Sequence, residues 1–190
     1  MLLLVFHYRR FLLALLTLSI SAFIPQAMAQ TPDDAAFAAA LTRFNRARQG
    51  ETDQLDAAIA AFRAAPGKPA LQPLNLVYLG SAETLKAKAA WMPWNKLKFA
   101  DQGLDHIDQA LAALRPEHDQ LLVQGTPASL LTRMVAASTF IAVPDGLFHR
   151  RAAGKSLLAE MRRSPLLAAA PAGFRAELNA AEVLLHEAEK

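Results

Sequence analysis

The chain contains no cysteine, and this absence excludes several kinds of chemistry at once. Without cysteine there is no disulfide, no thiol nucleophile and no thiolate ligand for a metal ion. The eight glycines are scattered and never fall into a G-x-G-x-x-G pattern or a phosphate-binding P-loop. The glycines therefore give no support for nucleotide binding. Because there are no disulfides, the stability of the folded protein has to come from packing.

Catalytic and metal-binding arrangements are also missing from the sequence. Four histidines follow residue 30, and none stands three or four residues from another, as a helical metal site requires: His106, His118, His149 and His186. His118, with a carboxylate on either side, is expected at the solvated surface because it follows a proline in a predicted loop. No set of nucleophile, base and oxyanion donor can be assembled. We expect a protein that is not an enzyme and that binds no metal or cofactor.

What the chain does have at its start is a hydrophobic leader. Its parts follow the order of a Sec-type signal peptide: the basic pair Arg9-Arg10, an apolar run from Phe11 to Ile24, Pro25, and the A-x-A motif of Ala27 and Ala29 before Gln30. The apolar run is shorter than the ~20 residues of a membrane span. Residues 1–29 are thus predicted to be cleaved after Ala29, giving a periplasmic or secreted protein. A retained leader would instead give an N-terminally anchored inner-membrane protein that faces the periplasm.

The net charge says little about binding partners once the leader is set aside. The chain has 20 basic and 17 acidic residues, a net charge of +3, but two of the basic residues belong to the leader. A nearly neutral domain without a dense stripe of lysine and arginine is not expected to bind nucleic acid. Residues 30–190 suit a single domain with its own core, and no stable membrane span is expected after removal of the leader.

Beyond the leader, apolar residues repeat with the period of an α-helix. The clearest series has alternate spacings of three and four: Leu97, Ala100, Leu104, Ile107, Leu111 and Leu114. Similar stripes, separated by proline or glycine, predict helices at about 35–48, 55–65, 71–90, 97–114, 128–143, 147–163 and 172–188. Residues 121–123 fit either a short helix or an extended stretch. The predicted fold class is all-α, built from antiparallel αα-hairpins.

Small residues recur at fixed places in these predicted hairpins. Three segments show them: Leu76-x2-Leu79-Gly80, Ala58-x3-Phe62-x2-Ala65 and Gly103-x3-Ile107-x2-Ala110. The first resembles the start of a tetratricopeptide repeat, with Glu83 in place of the tyrosine, and the other two resemble its second half. These two halves stand 45 residues apart rather than 34, so the repeats are degenerate. The resemblance covers residues 35–116, with 127–189 as C-terminal helices. It implies a right-handed array with a helical cap that binds polypeptides and has no catalysis.

The segment between the third and fourth predicted helices is a candidate binding site. It contains both tryptophans of the chain, near a methionine and two lysines: Trp91, Met92, Trp94, Lys96 and Lys98. Tryptophan and methionine are favoured in protein interfaces, so this segment is predicted to contact a partner. The alternative is that the tryptophans are buried and hold the helical hairpin closed.

A second candidate is a basic face on the predicted helix at 147–163. Four cations lie at spacings that return to one side: Arg150, Arg151, Lys155 and Arg162. Such a face is a candidate contact for an anionic group or for lipid, although a solvated face has the same pattern.

Two functions are compatible with these features. The first is a periplasmic or secreted scaffold or adaptor that binds a protein or peptide partner, in an envelope or transporter-associated complex. The alternative is a helical carrier or sensor for a small apolar or anionic ligand. The alternative predicts one closed pocket lined by Phe140, Phe148 and Phe174, close to Arg150 or His149.

Overall fold

A computed structural model describes residues 32–64 and 69–189, with side chains from residue 35 onward. Within these residues nine α-helices occur: α1 (Pro32–Arg48), α2 (Gln54–Ala64), α3 (Gln72–Ala89), α4 (Pro93–Ala112), α5 (Glu117–Gln120), α6 (Ala128–Ala142), α7 (Asp145–Phe148), α8 (Arg151–Arg163) and α9 (Ala172–Ala188). The predicted all-α class is confirmed. The predicted signal peptide and its cleavage site lie outside the described residues.

The structure decides two details of the predicted elements. Of the two conformations predicted for residues 121–123 it has the extended one, since β1 (Leu122–Val123) pairs antiparallel with β2 (Thr126–Pro127). The single helix predicted at 147–163 is wrong, since His149 has a φ of 52° and separates α7 from α8. The Asp145 carboxylate then accepts a hydrogen bond from the backbone N–H of Arg151 at 2.8 Å, which satisfies one donor at the start of α8.

The helices are arranged as neighbouring hairpins around α3. Helix α1 packs against α2, α3 packs most extensively against α4, and α6 packs against α8. Helix α3 also contacts α2 and α6, while α9 lies against α6 and α8. A second apolar cluster joins α6, α8 and α9. It includes Leu130, Met134, Leu158, Met161, Phe174 and Leu178. Helix α6 has a majority of buried residues, as its wide apolar face predicts. Among the described residues, no helix is both long enough and apolar enough to span a bilayer.

The contact between α3 and α4 depends on two glycines that face each other. A Cβ atom added to Gly103 would lie 2.5 Å from the carbonyl oxygen of Gly80 and 2.8 Å from Cγ2 of Thr84. A Cβ added to Gly80 would collide with the carbonyl oxygen of Gly103 and lie 2.8 Å from Cγ1 of Ile107. Only glycine at both positions lets the two backbones approach this closely.

Four aromatic rings connect α1, α2 and α3. Tyr78 lies between Phe37, Phe44 and Phe62, with ring centroids 5.7 to 5.9 Å away. Burial raises the pKa of the Tyr78 hydroxyl to about 12; the carboxylate of Glu177 adds to the shift and the guanidinium of Arg48 opposes it. The cluster therefore keeps Tyr78 in its neutral form.

We expect this tyrosine to make the fold sensitive to alkaline pH. The unfolded chain ionises its tyrosines near pH 10, whereas folded Tyr78 keeps its proton to about pH 12. The neutral Tyr78 hydroxyl therefore makes its full contribution to the free energy of unfolding below pH 10. About 2 kcal/mol of this free energy is lost as the pH rises toward 12. Urea unfolding at several alkaline pH values measures this loss. Tyr78→Phe should show a shallower decline, and equal slopes in the two proteins would contradict the assignment.

Candidate functional site

The turn between α3 and α4 exposes large apolar side chains. Trp91 is 87% exposed and Trp94 65% exposed, and Met92 and Leu97 are 37% and 48% exposed. We call these four residues the tip patch. Their exposure rules out the alternative in which the tryptophans are buried and hold the hairpin closed. The structure thus brings together the predicted contact residues, and it adds Leu97.

The local sequence explains why the tip patch is presented in this way. Helix α3 ends when Ala90 takes an extended conformation, and Pro93 begins α4 in the first-turn position where its missing N–H costs nothing. Trp94 and Leu97 are three residues apart on α4 and therefore lie on the same face of its first turns. The hairpin below them is held together at the two facing glycines.

The tip patch is flanked by lysines. Lys88, Lys96 and Lys98 are exposed, and none of them has a carboxylate within ion-pair distance among the described residues. From residue 84 to residue 100 the sequence has four lysines and no acidic residue. The fourth, Lys86, pairs with Asp56 at 2.5 Å and stacks over the Phe99 ring at 4.7 Å. The surface around the two tryptophans is therefore both apolar and cationic.

The basic face predicted on α8 is different, because most of its cations are paired. Arg150 makes two hydrogen bonds to Asp108, at 2.6 and 3.1 Å, and stacks over the Phe140 ring. Lys155 pairs with Glu189 at 2.8 Å, which lowers the pKa of that carboxyl. Arg162 pairs with Glu182 at 2.5 Å, and this hydrogen bond raises the pKa of the guanidinium. Arg151 is half-buried. The predicted anion or lipid contact here thus has little uncompensated charge to offer.

A second exposed apolar surface lies on the outer side of α9. Val183 and Leu184 are each 58% exposed, and we call this pair the α9 patch. Beside it, a groove of about 230 Å³ between α6 and α9 is lined by Ser138, Ile141, Ala142, Ala181, Leu184 and Ala188. The glutamates near the patch are Glu182, Glu187 and, just after α9, Glu189; Glu182 and Glu189 are paired with Arg162 and Lys155. Among the described residues, the tip patch therefore has unpaired lysines beside it, whereas the charges beside the α9 patch are largely compensated.

The three aromatic residues predicted to line one closed pocket do not all come together. Phe140 is buried in one apolar cluster, against which Phe148 packs, and Phe174 is buried in the other, so they fill the core instead of a shared cavity. A shallow groove of about 360 Å³ lies elsewhere, between α8 and α9. Leu158 and Leu185 lie in it, with Lys155, Arg162 and Arg163 around them.

A charge cluster at the α3–α4 contact was not predicted from the sequence: its carboxylate, Glu83, is buried, whereas the partner side chains of Arg63 and His106 are 58% and 28% exposed. Glu83 is 1% exposed; its carboxylate accepts a hydrogen bond from Arg63 of α2 at 2.6 Å and is 2.7 Å from Nδ1 of His106 of α4. The available signal was the glutamate itself, which lies in an apolar stripe at the place of the repeat's tyrosine. The cluster joins three helices and faces no groove, so it is a structural feature.

The expectation that His118 lies at the solvated surface is wrong. This histidine is buried, not solvated, and its Nδ1 accepts a hydrogen bond from the backbone N–H of Arg115, in the turn after α4, at 2.8 Å. Within the described ranges, no group of three or more histidines and carboxylates is placed to hold a metal ion.

Comparison of the chain with protein-family models, with curated proteins and with solved structures found no match. Function is therefore inferred from the residues themselves.

Proposed function

We propose that this protein is a non-catalytic, tetratricopeptide-like adaptor that acts in the periplasm or outside the cell and binds a protein or peptide partner. Residues 30–190 form the adaptor once the leader has directed the chain out of the cytoplasm. The partner belongs to an envelope or transporter-associated complex.

The order of helix packing supports the tetratricopeptide-like arrangement. In such an array the first helix of each hairpin contacts its own second helix and the first helix of the next hairpin. Helices α1, α3 and α6 take the first role here, and α2, α4 and α8 take the second. The contact of α3 with α6 fits this order, whereas α1 touches α3 only slightly and the first two hairpins meet mainly through α2 and α3. Helix α9 lies against the last hairpin in the position of a cap. Gly80, Gly103 and Ile107 lie at the close contact where the repeat places its small residues.

One observation carries the proposal: six of the eight large apolar side chains that are exposed among the described residues are gathered in two places on a well-packed frame. These places are the tip patch and the α9 patch, and the other two side chains, Leu122 and Leu147, lie apart from them. Exposed apolar patches on a soluble domain mark contact surfaces. A frame that displays apolar surface in two places suits a protein that connects two other components.

Site-specific photo-crosslinking tests the proposal. A benzoylphenylalanine residue replaces Trp94 in the tip patch or Val183 in the α9 patch, and the full chain is expressed in a host that secretes it. We expect irradiation to attach a defined polypeptide at one or both positions, identified by mass spectrometry of the adduct. The matched control places the same residue at Arg43, an exposed polar position on α1. Adducts no more specific at either patch than at Arg43 would contradict the proposal.

The alternative function, a carrier for a small ligand, has one observation in its favour. The groove between α8 and α9 combines two leucines with three cations, which suits an amphiphile with an anionic head. Two of these cations are already paired with glutamates, so the groove is the weaker candidate. Native mass spectrometry of the gently purified protein distinguishes the two functions, because only the carrier should retain a small molecule.

A further inference from the structure

The tip patch and the α9 patch are both apolar, but they differ in the charges beside them. Lys88, Lys96 and Lys98 flank the tip patch without a carboxylate partner among the described residues, and the nearest exposed carboxylates are those of Asp56, paired with Lys86, and Asp101. Beside the α9 patch, Glu182 and Glu189 are paired with Arg162 and Lys155. An anionic surface attracts unpaired cations. Charge therefore favours the tip patch over the α9 patch as a surface that faces a membrane.

We infer that the tip patch binds directly to the surface of an anionic lipid bilayer. Trp91 and Trp94 enter the headgroup layer, together with Met92 and Leu97. Lys88, Lys96 and Lys98 contact the lipid phosphates. The inference does not depend on the polypeptide partner of the proposed function, to which the α9 patch remains available.

The position of the patch in the fold allows this contact. Lys86 is the last described residue of α3 whose side chain makes an ion pair with a neighbouring helix, at Asp56 near the start of α2, and Ala87 is the last buried residue of α3. Beyond it Lys88, Ala89 and the whole turn are largely exposed. At 1.5 Å per helical residue, the last residue of α3, Ala89, stands about 4.5 Å past Lys86, and Trp91 lies in the turn beyond it. The turn therefore projects far enough to reach the headgroup region, into which interfacial helices bury their apolar faces by about 5–10 Å.

The residue types favour a bilayer over a protein surface as the occupant. Tryptophan prefers the membrane–water interface, where its ring is partly buried and its N–H stays hydrated. Lysine is depleted in protein interfaces, but beside a membrane its long stem lies along apolar surface while the ammonium remains at the phosphates. The three lysines lack carboxylate partners among the described residues, so lipid phosphate competes with no internal ion pair.

The experiment uses the two tryptophans as reporters, because the chain has no others. The secreted full-length protein is mixed with vesicles of equal parts phosphatidylglycerol and phosphatidylcholine, and with vesicles of phosphatidylcholine alone. With the anionic vesicles we expect a blue shift of the tryptophan emission, quenching by brominated lipid, and co-sedimentation that weakens as salt is added. With neutral vesicles we expect much weaker binding.

Variants separate this contact from any other route to the membrane. Replacing Lys88, Lys96 and Lys98 with glutamine should weaken partition into anionic vesicles by about fivefold per lysine, or about a hundredfold together. Trp91→Gln/Trp94→Gln should weaken it by at least about tenfold. The matched control, Val183→Ser/Leu184→Ser, removes exposed apolar surface beside glutamates and should bind like the parent protein.

Three outcomes would overturn the inference. The first is an unchanged tryptophan emission with anionic vesicles. The second is equal binding by the parent and the tip variants, which would assign membrane contact to the leader or to another surface. The third is equal binding to neutral and anionic vesicles. Circular dichroism of each variant confirms that the helices are intact, which is expected because every substituted side chain is exposed.

Discussion

A variant without the side chains of Arg63 and His106 is expected to lose about 3–5 kcal/mol of unfolding free energy at neutral pH, because it leaves the Glu83 carboxylate buried without a partner. Glu83 is 1% exposed, and each of its two oxygens has one of these partners. The change Arg63→Met/His106→Leu keeps the apolar volume of both side chains while removing their hydrogen bonds. Urea unfolding monitored by circular dichroism measures the loss.

The pH dependence of this variant identifies the cause. An unpaired buried carboxyl binds a proton more tightly in the folded state than in the unfolded chain. The variant should therefore recover stability in acid and lose it as the pH rises above the ordinary glutamate pKa of about 4.3. Adding Glu83→Leu should restore much of the loss, because no buried charge then remains. A loss below about 1 kcal/mol in the double variant, or no recovery in the triple variant, would refute this account of the cluster.

The second large effect is expected at the glycine contact between α3 and α4. Gly80→Val should destabilise the protein by about 3 kcal/mol, because its side chain meets the backbone of Gly103 and the side chain of Ile107. Valine has a slightly better helix propensity than glycine, worth only a few tenths of a kcal/mol, so the collision decides the sign. The shift of the urea midpoint measures the effect.

Gly173 provides the matched control for this substitution. It also lies in a helix, α9, but a Cβ added to it would meet nothing within 4 Å. Gly173→Val should therefore change the unfolding free energy by less than about 0.5 kcal/mol. Equal destabilisation at the two positions would show that helix propensity, and not the close approach of α3 and α4, determines the result.

The apolar periodicity was sufficient to predict most of the long helices because each of these has a buried face. In α4 the predicted series contains the buried residues Ala100, Leu104 and Ile107. The same series places Leu97 in the core, yet it is 48% exposed. Periodicity assigns a residue to a face of a helix, but it does not show where the neighbouring helices end. The tip patch is exposed because it lies where the neighbouring helices have ended.

Charge patterns were less informative, since a charged residue looks the same in sequence whether or not it is paired. Arg150 and Asp108 lie 42 positions apart and meet only through the packing of α4 near the start of α8. Glu83, Arg63 and His106 likewise come from three helices. The sequence therefore indicated a cationic face on α8, whereas the unpaired lysines lie at the tip. The break at His149 was also missed, because the apolar residues on either side continue the helical pattern.

The contact between the facing glycines is also the point about which α3 and α4 would rotate relative to each other. Ala89, the last residue of α3, lies nine residues beyond Gly80, so the turn begins about 14 Å from the crossing point along α3. A change of about 10° in the angle between α3 and α4 would move the start of the turn by about 2.5 Å, a little less than the rise of two helical residues. The direction in which the tryptophans point is therefore set far from them, by two residues that have no side chain.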